Sequence, residues 1–490
     1  MITQTRSGVP GMSDRLWALA CSHPNQIAVV DEIDSLTWAE LNRRVRVAQT
    51  SVRAEMDVAS GPVVLAVTPS ADAVVAYITL MCAGVPVVPA DPQVPHTQLQ
   101  SLAQRSGAVA VVHDDNRLSS WPASTPEPVL LKDLLGGNVR LGVGQEQDPA
   151  PALIMFTSGT TGSPSGIVCS RDQVAFAANA IQQRLDYRSG DIVASRLPLS
   201  FDYGLYQIIL CVLSGARLVI LGTGADWNLA RRIHLAGATV VPIVPTLAEI
   251  LVRSARRQPG SLETVRVITS TGEHLSEDAQ RRMWSVAPAA RIASMYGITE
   301  CKRVAIGWAE PGRPIDHVGI ALPGTELRVQ REDGTPTNVR EVGEIVVTGP
   351  HVCSGYLPQR PRESPRFETD PDGQSLLFTG DMGWVGSDGN LRVVGRRDGI
   401  FKLRGVRTST AELAAAAEAV PGILRAVVTL SDEREASMWL ESLEDPAFVR
   451  AKLRERLGES RLPHRVGVVA EFPMTVNGKV DGQALARMEG

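Results

Sequence analysis

Lysine is scarce in this 490-residue chain: of its 49 basic residues only Lys132, Lys302, Lys402, Lys452 and Lys479 are lysine, and the rest are arginine. There is no basic excess either, since 53 acidic residues leave a formal charge of −4. That balance argues against a chain built mainly to hold nucleic acid or an anionic membrane. Cysteine is sparse and scattered: Cys21, Cys82, Cys169, Cys211, Cys301 and Cys353 form no CxxC pair and have no histidine at zinc spacing. The expectation is reduced thiols in a cytoplasm rather than a metal site or a disulfide framework. Residues 1–8 have no apolar stretch behind their charge, so no secretory leader is expected. The longest uncharged stretch, 73–90, is broken by Gly84, Pro86 and Pro89. It reads as a buried helix running into a buried strand, not as a membrane span. Internal repeats and low-complexity tracts are absent.

What is present is an ordinary globular composition, 44% hydrophobic and 21% charged. The chain is too long for one compact core, so at least two domains are expected. From about residue 16 to 352 helical patterns alternate with short apolar strands such as 63–67, 109–113, 218–221, 240–244 and 265–268. That alternation implies parallel sheets covered on both faces. After Gly319 the strands shorten and turn residues multiply, as around 344–348 and 391–394, which suggests a β-rich subdomain. The fold class expected is α/β. A large N-terminal domain, residues 1–395, holds α/β sheet subdomains and the β-rich subdomain; a small mobile α+β domain, residues 396–490, follows.

Four segments carry candidate chemistry. Strand 153–156 runs straight into Thr157, Ser158, Gly159, Thr160, Thr161 and Gly162. Glycines let backbone N–H groups approach a phosphate closely, and the hydroxyls can donate to its oxygens. The loop is not a Walker A sequence, and a plain polar surface loop has the same composition. The strand at 292–295 ends in Tyr296, Gly297, Ile298, Thr299 and Glu300. An aromatic face, a hydroxyl and a carboxylate then stand at the end of a parallel strand, where open α/β sheets bind ligands. The glutamate oxygen suits Mg²⁺, although packing and a solvated charge would use the same residue types. A third segment places Asp381, a fitting partner for vicinal sugar hydroxyls, ahead of the run 395–405. The fourth, 477–481, is a hairpin turn by its Asn-Gly pair, yet it carries Lys479. A compact ammonium bridging two developing negative oxygens is poorly replaced by a planar guanidinium.

Together these segments resemble the adenylate-forming superfamily of acyl-CoA synthetases, amino-acid adenylation domains and luciferases. The motifs stand in the family's order over nearly the whole chain: FTSGTTGSPSG (156–166), SFDYGLYQ (200–207), STGE (270–273), MYGITE (295–300), TGD (379–381), GRRDGIFKLRG (395–405) and NGKVD (477–481). The resemblance implies a two-step reaction: a carboxylate attacks the α-phosphate of Mg-ATP, pyrophosphate leaves, and the acyl group passes to a thiol, usually a pantetheine. Catalysis of this kind is mostly positioning and stabilisation of spread negative charge. By position, the loop 157–162 would hold phosphates, Tyr296 would stack on adenine, and Gly272 and Glu273 would lie along its edge. Thr299 would contact the α-phosphate and Glu300 the Mg²⁺, while Asp381 and Arg396 would hold the ribose. Lys479 would bridge the attacking carboxylate and the phosphate. Asp398 matches the hinge of the small domain, and Gly405 lies on the face used for thioester formation.

One departure is visible: Ser165 stands where the family's phosphate loop carries a lysine. Arg171 is a candidate compensating cation. Because Lys479, Glu300 and Asp381 are present, a working enzyme is expected, with a catalytically silent binding partner as the alternative from a different class. For the acid, Phe201, Asp202 and Tyr206 fall in a stretch resembling the FDxSxxE segment of peptide-synthetase adenylation domains, where the aspartate pairs with the substrate's ammonium; the early stretch Asp91, Pro92 and Pro95 resembles that group as well. Asp202 could equally cap a helix. Lys302 and Arg303, after Cys301, resemble the TECKR of some acyl-CoA ligases and of stand-alone enzymes that activate β-amino acids for macrolactams. These cations either reach a second carboxylate or the substrate's far end, or face solvent. Tyr206 is expected on the pocket wall. No carrier, condensation or thioesterase region is recognisable, so the acceptor is expected in trans: a discrete acyl or peptidyl carrier protein first, coenzyme A second.

Overall fold

The computed structural model describes residues 11–53, 61–114, 126–142, 151–157, 165–222, 226–357, 366–370, 373–397, 399–403, 406–431, 435–457, 462–463, 465–475 and 480–487. Two large sheets dominate. In the nine-stranded sheet the order is Ile320–Ala321, Ala305–Ala309, Arg291–Tyr296, Val267–Ser270, Val240–Ile243, Ile192–Ser195, Arg217–Ile220, Ile27–Val30 and Ser35–Thr37. Its strands run parallel from Arg291–Tyr296 to Ile27–Val30, and the two strands beyond Tyr296 turn antiparallel. A seven-stranded sheet is parallel from Pro151–Thr157 to Glu127–Leu130 and closes with the antiparallel strands Ser165–Ser170 and Gly355–Leu357. The stretch 73–90 is the expected buried helix, Ala71–Ala83, capped by the Ser70 hydroxyl and ended by Gly84 in the left-handed conformation, followed by the strand Val87–Pro89. No helix among the described residues is long and apolar enough to cross a membrane.

Between the two large sheets lies one continuous apolar core, with Leu65, Val193, Leu205, Val240 and Ile268 among its fully buried members. The β-rich portion forms a five-stranded antiparallel sheet in which Ser375–Val385 pairs with Gly343–Thr348, Arg366–Thr369 and Leu391–Arg396. Beyond residue 400 a three-stranded sheet, Arg425–Leu430, Ala436–Glu441 and Arg465–Val469, packs with the helix Thr410–Glu418 around a separate core that includes Leu413, Met438 and Leu440. An ion pair joins this part to a helix of the nine-stranded sheet: Arg253 of the helix Pro245–Arg256 donates to Glu441 at 3.1 Å, and Arg425, the cross-strand partner of Glu441 within the three-stranded sheet, lies 3.7 Å from the same carboxylate.

His351 is a buried misfit. It is 1% exposed, stacks on Phe176 with centroids 5.6 Å apart, and neither ring nitrogen has a hydrogen-bond partner among the described residues. Burial therefore holds its pKa down, from 6.5 to about 4. The folded state binds the proton less tightly than the unfolded chain, so stability is complete above pH 6.5 and falls as pH drops from there toward 4. The full loss is roughly 3 kcal/mol by the usual conversion of a pKa difference. Urea titrations of the wild type between pH 7.5 and 4.5 should show this decline, and His351→Leu should flatten it; equal slopes in both proteins would refute the assignment.

Candidate active site

The site grows from one turn. The strand Arg291–Tyr296 and its antiparallel neighbour Ala305–Ala309 are joined by residues 297–304, closed by Val304 N–H donating to Tyr296 O at 2.8 Å. Gly297 is required there for space: a Cβ would fall 1.8 Å from the carbonyl oxygen of Lys302, which folds back over it. Lys302 itself sits at φ 60°, in the left-handed region that a side-chain-bearing residue enters only when its surroundings enforce it. The turn sends Tyr296 and Glu300 to one side and Lys302 and Arg303 to the other.

On the first side, the Tyr296 hydroxyl donates to Asp381 Oδ2 at 2.7 Å, and Arg396 Nη1 lies 3.3 Å from Asp381 Oδ1 while also donating to Thr379 O. Asp381 and Arg396 are direct register partners on adjacent antiparallel strands, which explains how residues 15 apart meet. Burial and the adjacent Asp381 charge hold the Tyr296 phenol well above its ordinary pKa, so it remains a donor. Glu300 is buried and accepts from Tyr356 Oη at 2.8 Å; desolvation raises its pKa, and the Tyr356 hydrogen bond with Lys302 and Arg396 opposes the shift. A buried carboxylate with a polarised donor on one oxygen suits a hard cation. Gly272 adopts φ 94° just past the strand Val267–Ser270, and Glu273 beside it is exposed. Thr299 gives its carbonyl oxygen to Lys302 Nζ at 3.0 Å.

On the other side is a small cavity of about 10 Å³ lined by Asp202, Tyr203, Tyr206, Met295, Lys302 and Arg303, among others. Asp202 opens the buried helix Asp202–Ser214, whose cap residue is Phe201 and whose start carries no side-chain cap bond. The capping alternative for Asp202 therefore does not hold. Gly204 lets this helix start against the preceding chain, because a Cβ would lie 2.1 Å from Pro198 O. Lys302 and Arg303 are 2% and 6% exposed, so the solvent-facing alternative fails for both. Arg303 lies 3.7 Å from Asp202 Oδ2 and stacks over the Tyr203 ring at 5.1 Å. Phe201 is outside the lining and packs edge-on against Tyr203.

The thiols Cys169 and Cys353, 184 residues apart, meet at 3.1 Å beside Lys302. Their hydrogen bond, helped by the Lys302 ammonium, pulls Cys169 down to about 7 against its burial. Sequence spacing gave no sign of this pair, nor of Tyr356 as Glu300's partner or of Tyr203 as a lining residue. Arg171, the candidate stand-in for the missing loop lysine, donates to Gly84 O at 2.9 Å at the start of its helix, while Ser165 is buried in a strand. Of the phosphate loop, Thr157 ends the strand Pro151–Thr157, and Ser158, Gly159, Thr160, Thr161 and Gly162 lie outside the described residues, as do Asp398, Gly405 and Lys479.

The family model described as AMP-binding enzyme matches residues 16–357. The chain belongs to that family. Among curated proteins, an L-proline--[L-prolyl-carrier protein] ligase of Pseudomonas fluorescens is 28% identical over 97% of this chain and 99% of its own length. The probable non-canonical nonribosomal peptide synthetase CymA of Salinispora arenicola is 30% identical over 97% of this chain, which spans only 6% of that protein. Among solved structures, VinN superposes with a TM-score of 0.67 at 29% identity, covering 78% of this chain and 98% of VinN. A benzoate CoA ligase from Burkholderia xenovorans shares the fold, with a TM-score of 0.83 at 20% identity over 97% of this chain and 99% of that one. Adenylate-forming enzymes are thus the chain's kin in both sequence and fold.

The turn makes a structural prediction. Gly297→Ala must push the Lys302 carbonyl aside, at a cost of roughly 1–3 kcal/mol or more, whereas Gly190→Ala meets nothing within 4 Å. Thermal unfolding should show a lowered midpoint for the first variant and little change for the second. Indistinguishable midpoints would mean the turn is not held as described.

Proposed function

We propose that this chain activates an amino acid with Mg-ATP as its aminoacyl-adenylate, releasing pyrophosphate, and then passes the acyl group to the phosphopantetheine thiol of a separate carrier protein. The carrying observation is Asp202. Its carboxylate is buried, receives no hydrogen bond from the described residues, and has only a cation at 3.7 Å. A buried carboxylate left this way is costly until a donor reaches it, and a substrate ammonium supplies both the charge and the hydrogens. The full-length match to a carrier-protein ligase supports the stand-alone reading, and a VinN structure, 28% identical to this chain, was solved with L-aspartate.

In this reading the turn 297–304 separates two jobs. Asp381, held by Tyr296 and Arg396, is positioned to accept from ribose hydroxyls, and Tyr296 presents its ring toward adenine beside Gly272 and Glu273. Glu300, with Thr299, faces the phosphates, and Glu300 is the residue we assign to magnesium, which when bound neutralises phosphate charge. Asp202 fixes the ammonium so that the acid's carboxylate reaches the α-phosphate in line, and Lys479 stabilises the negative charge that spreads over both. Residues 157–162 would hold the leaving pyrophosphate. Asp398 would serve as the hinge between residues 1–395 and 396–490.

Amino-acid-dependent ATP–pyrophosphate exchange tests this reading. Exchange with amino acids and none with their des-amino analogues is expected, and Asp202→Ala should remove that preference. Exchange with only plain carboxylic acids would overturn it. Acyl-CoA formation without a carrier protein would replace the acceptor by coenzyme A. Lys479→Ala should reduce adenylation by more than about a hundredfold, as loss of a group acting in the transition state does, while sparing thioester transfer from supplied adenylate. Equal losses in the two steps would contradict its role.

A further inference from the structure

The substrate pocket holds more positive charge than its residues answer. Lys302, 2% exposed, donates to one oxygen, Thr299 O at 3.0 Å, and otherwise borders the Cys169 and Cys353 sulfurs. Arg303, 6% exposed, has one carbonyl within hydrogen-bond reach, Lys302 O at 3.2 Å, and stands 3.7 Å from Asp202. A planar guanidinium carries five N–H donors and an ammonium three, so most of their capacity points at no oxygen acceptor. Tyr206, 4% exposed and lining the same cavity, has no hydrogen-bond partner for its Oη among the described residues. Glu300, which feels the Lys302 charge, accepts from Tyr356.

Building on the reading of Asp202 as the ammonium site, we propose that the amino acid is a short dicarboxylic one. Its ammonium pairs with Asp202, one carboxylate is activated, and the other is taken by Lys302, Arg303 and Tyr206. Once a substrate ammonium occupies Asp202, that carboxylate no longer answers Arg303, and Lys302 is left chiefly with the Cys169 and Cys353 sulfurs, so a neutral side chain would leave most of their buried donors without an oxygen acceptor. A second carboxylate accepts from the guanidinium and the ammonium together, and the tyrosine hydroxyl gains its partner. Ile181, Leu185, Leu210 and Met295 wall the same cavity with hydrocarbon, so Asp202, Lys302, Arg303 and Tyr206 are the groups there that can meet charge. The strained φ of Lys302 fits this role, because the left-handed turn is what brings its side chain back beneath the helix that carries Asp202.

Exchange kinetics on the intact wild-type chain decide the matter. Aspartate, glutamate, asparagine, glutamine and alanine would be compared, with succinate as the acid lacking an ammonium. Aspartate is expected to exceed asparagine and alanine in kcat/KM by more than a hundredfold, with glutamate between. Lys302→Met and, separately, Arg303→Met should each reduce the aspartate value by more than tenfold and shrink the aspartate-to-asparagine ratio; an unchanged ratio in both would overturn the assignment. Because either variant could fail to fold, thermal shift of the wild type with each amino acid, in the presence of a non-hydrolysable ATP analogue, gives a second reading in which aspartate stabilises most and asparagine and alanine least. Equal use of asparagine or alanine would overturn the dicarboxylic assignment while leaving amino-acid activation intact. Exchange with succinate as good as with aspartate would instead remove the ammonium site, and with it the proposal above.

Discussion

Everything in the site depends on the chain doubling back at Gly297. The Lys302 carbonyl occupies the volume a side chain would need, so the loop between two antiparallel strands is forced into a single tight path. That path separates the residues by purpose: a phenol and a carboxylate toward the sheet that bears Asp381, and two cations toward the helix that starts at Asp202. The nucleotide and acid subsites we assign share one backbone wall only a few residues thick, which is the geometry an in-line displacement between two bound reactants requires.

The layout of polar groups follows from burial. Asp381, Glu300, Asp202, Lys302 and Arg303 are all less than a tenth exposed, a concentration of charge that a protein interior does not accept without partners. The first two have them: Tyr296 and Arg396 for Asp381, Tyr356 for Glu300. The last three have fewer oxygen and donor partners within the chain, and it is there that we assign the groups of the bound acid.

Much of the fold was legible from residue pattern, because strands buried on both faces read as continuous apolar runs and the helices between them carry their own caps. The helix Ala71–Ala83 with Ser70 before it and Gly84 after it could be placed from sequence almost to the residue. The candidate site was legible as short segments but not as partnerships. Sequence offered Lys302 and Arg303 either to solvent or to a ligand with nothing to choose between them, since exposure is decided by which helix packs over the turn. The Cys169–Cys353 contact and the Tyr356–Glu300 bond join segments 184 and 56 residues apart, and no local periodicity encodes such meetings. Sequence left Asp202 between an ammonium partner and a helix cap, since aspartate before an apolar run is a good cap; here Phe201 holds the cap position, Asp202 is the first helical residue, and it lines the cavity.

The ion pair of Arg253 and Glu441 has an implication for how residues beyond 400 are held to the rest of the chain. Attraction between charges weakens as counter-ions accumulate. Ionic strength therefore tunes this contact without loosening the two apolar cores on either side of it.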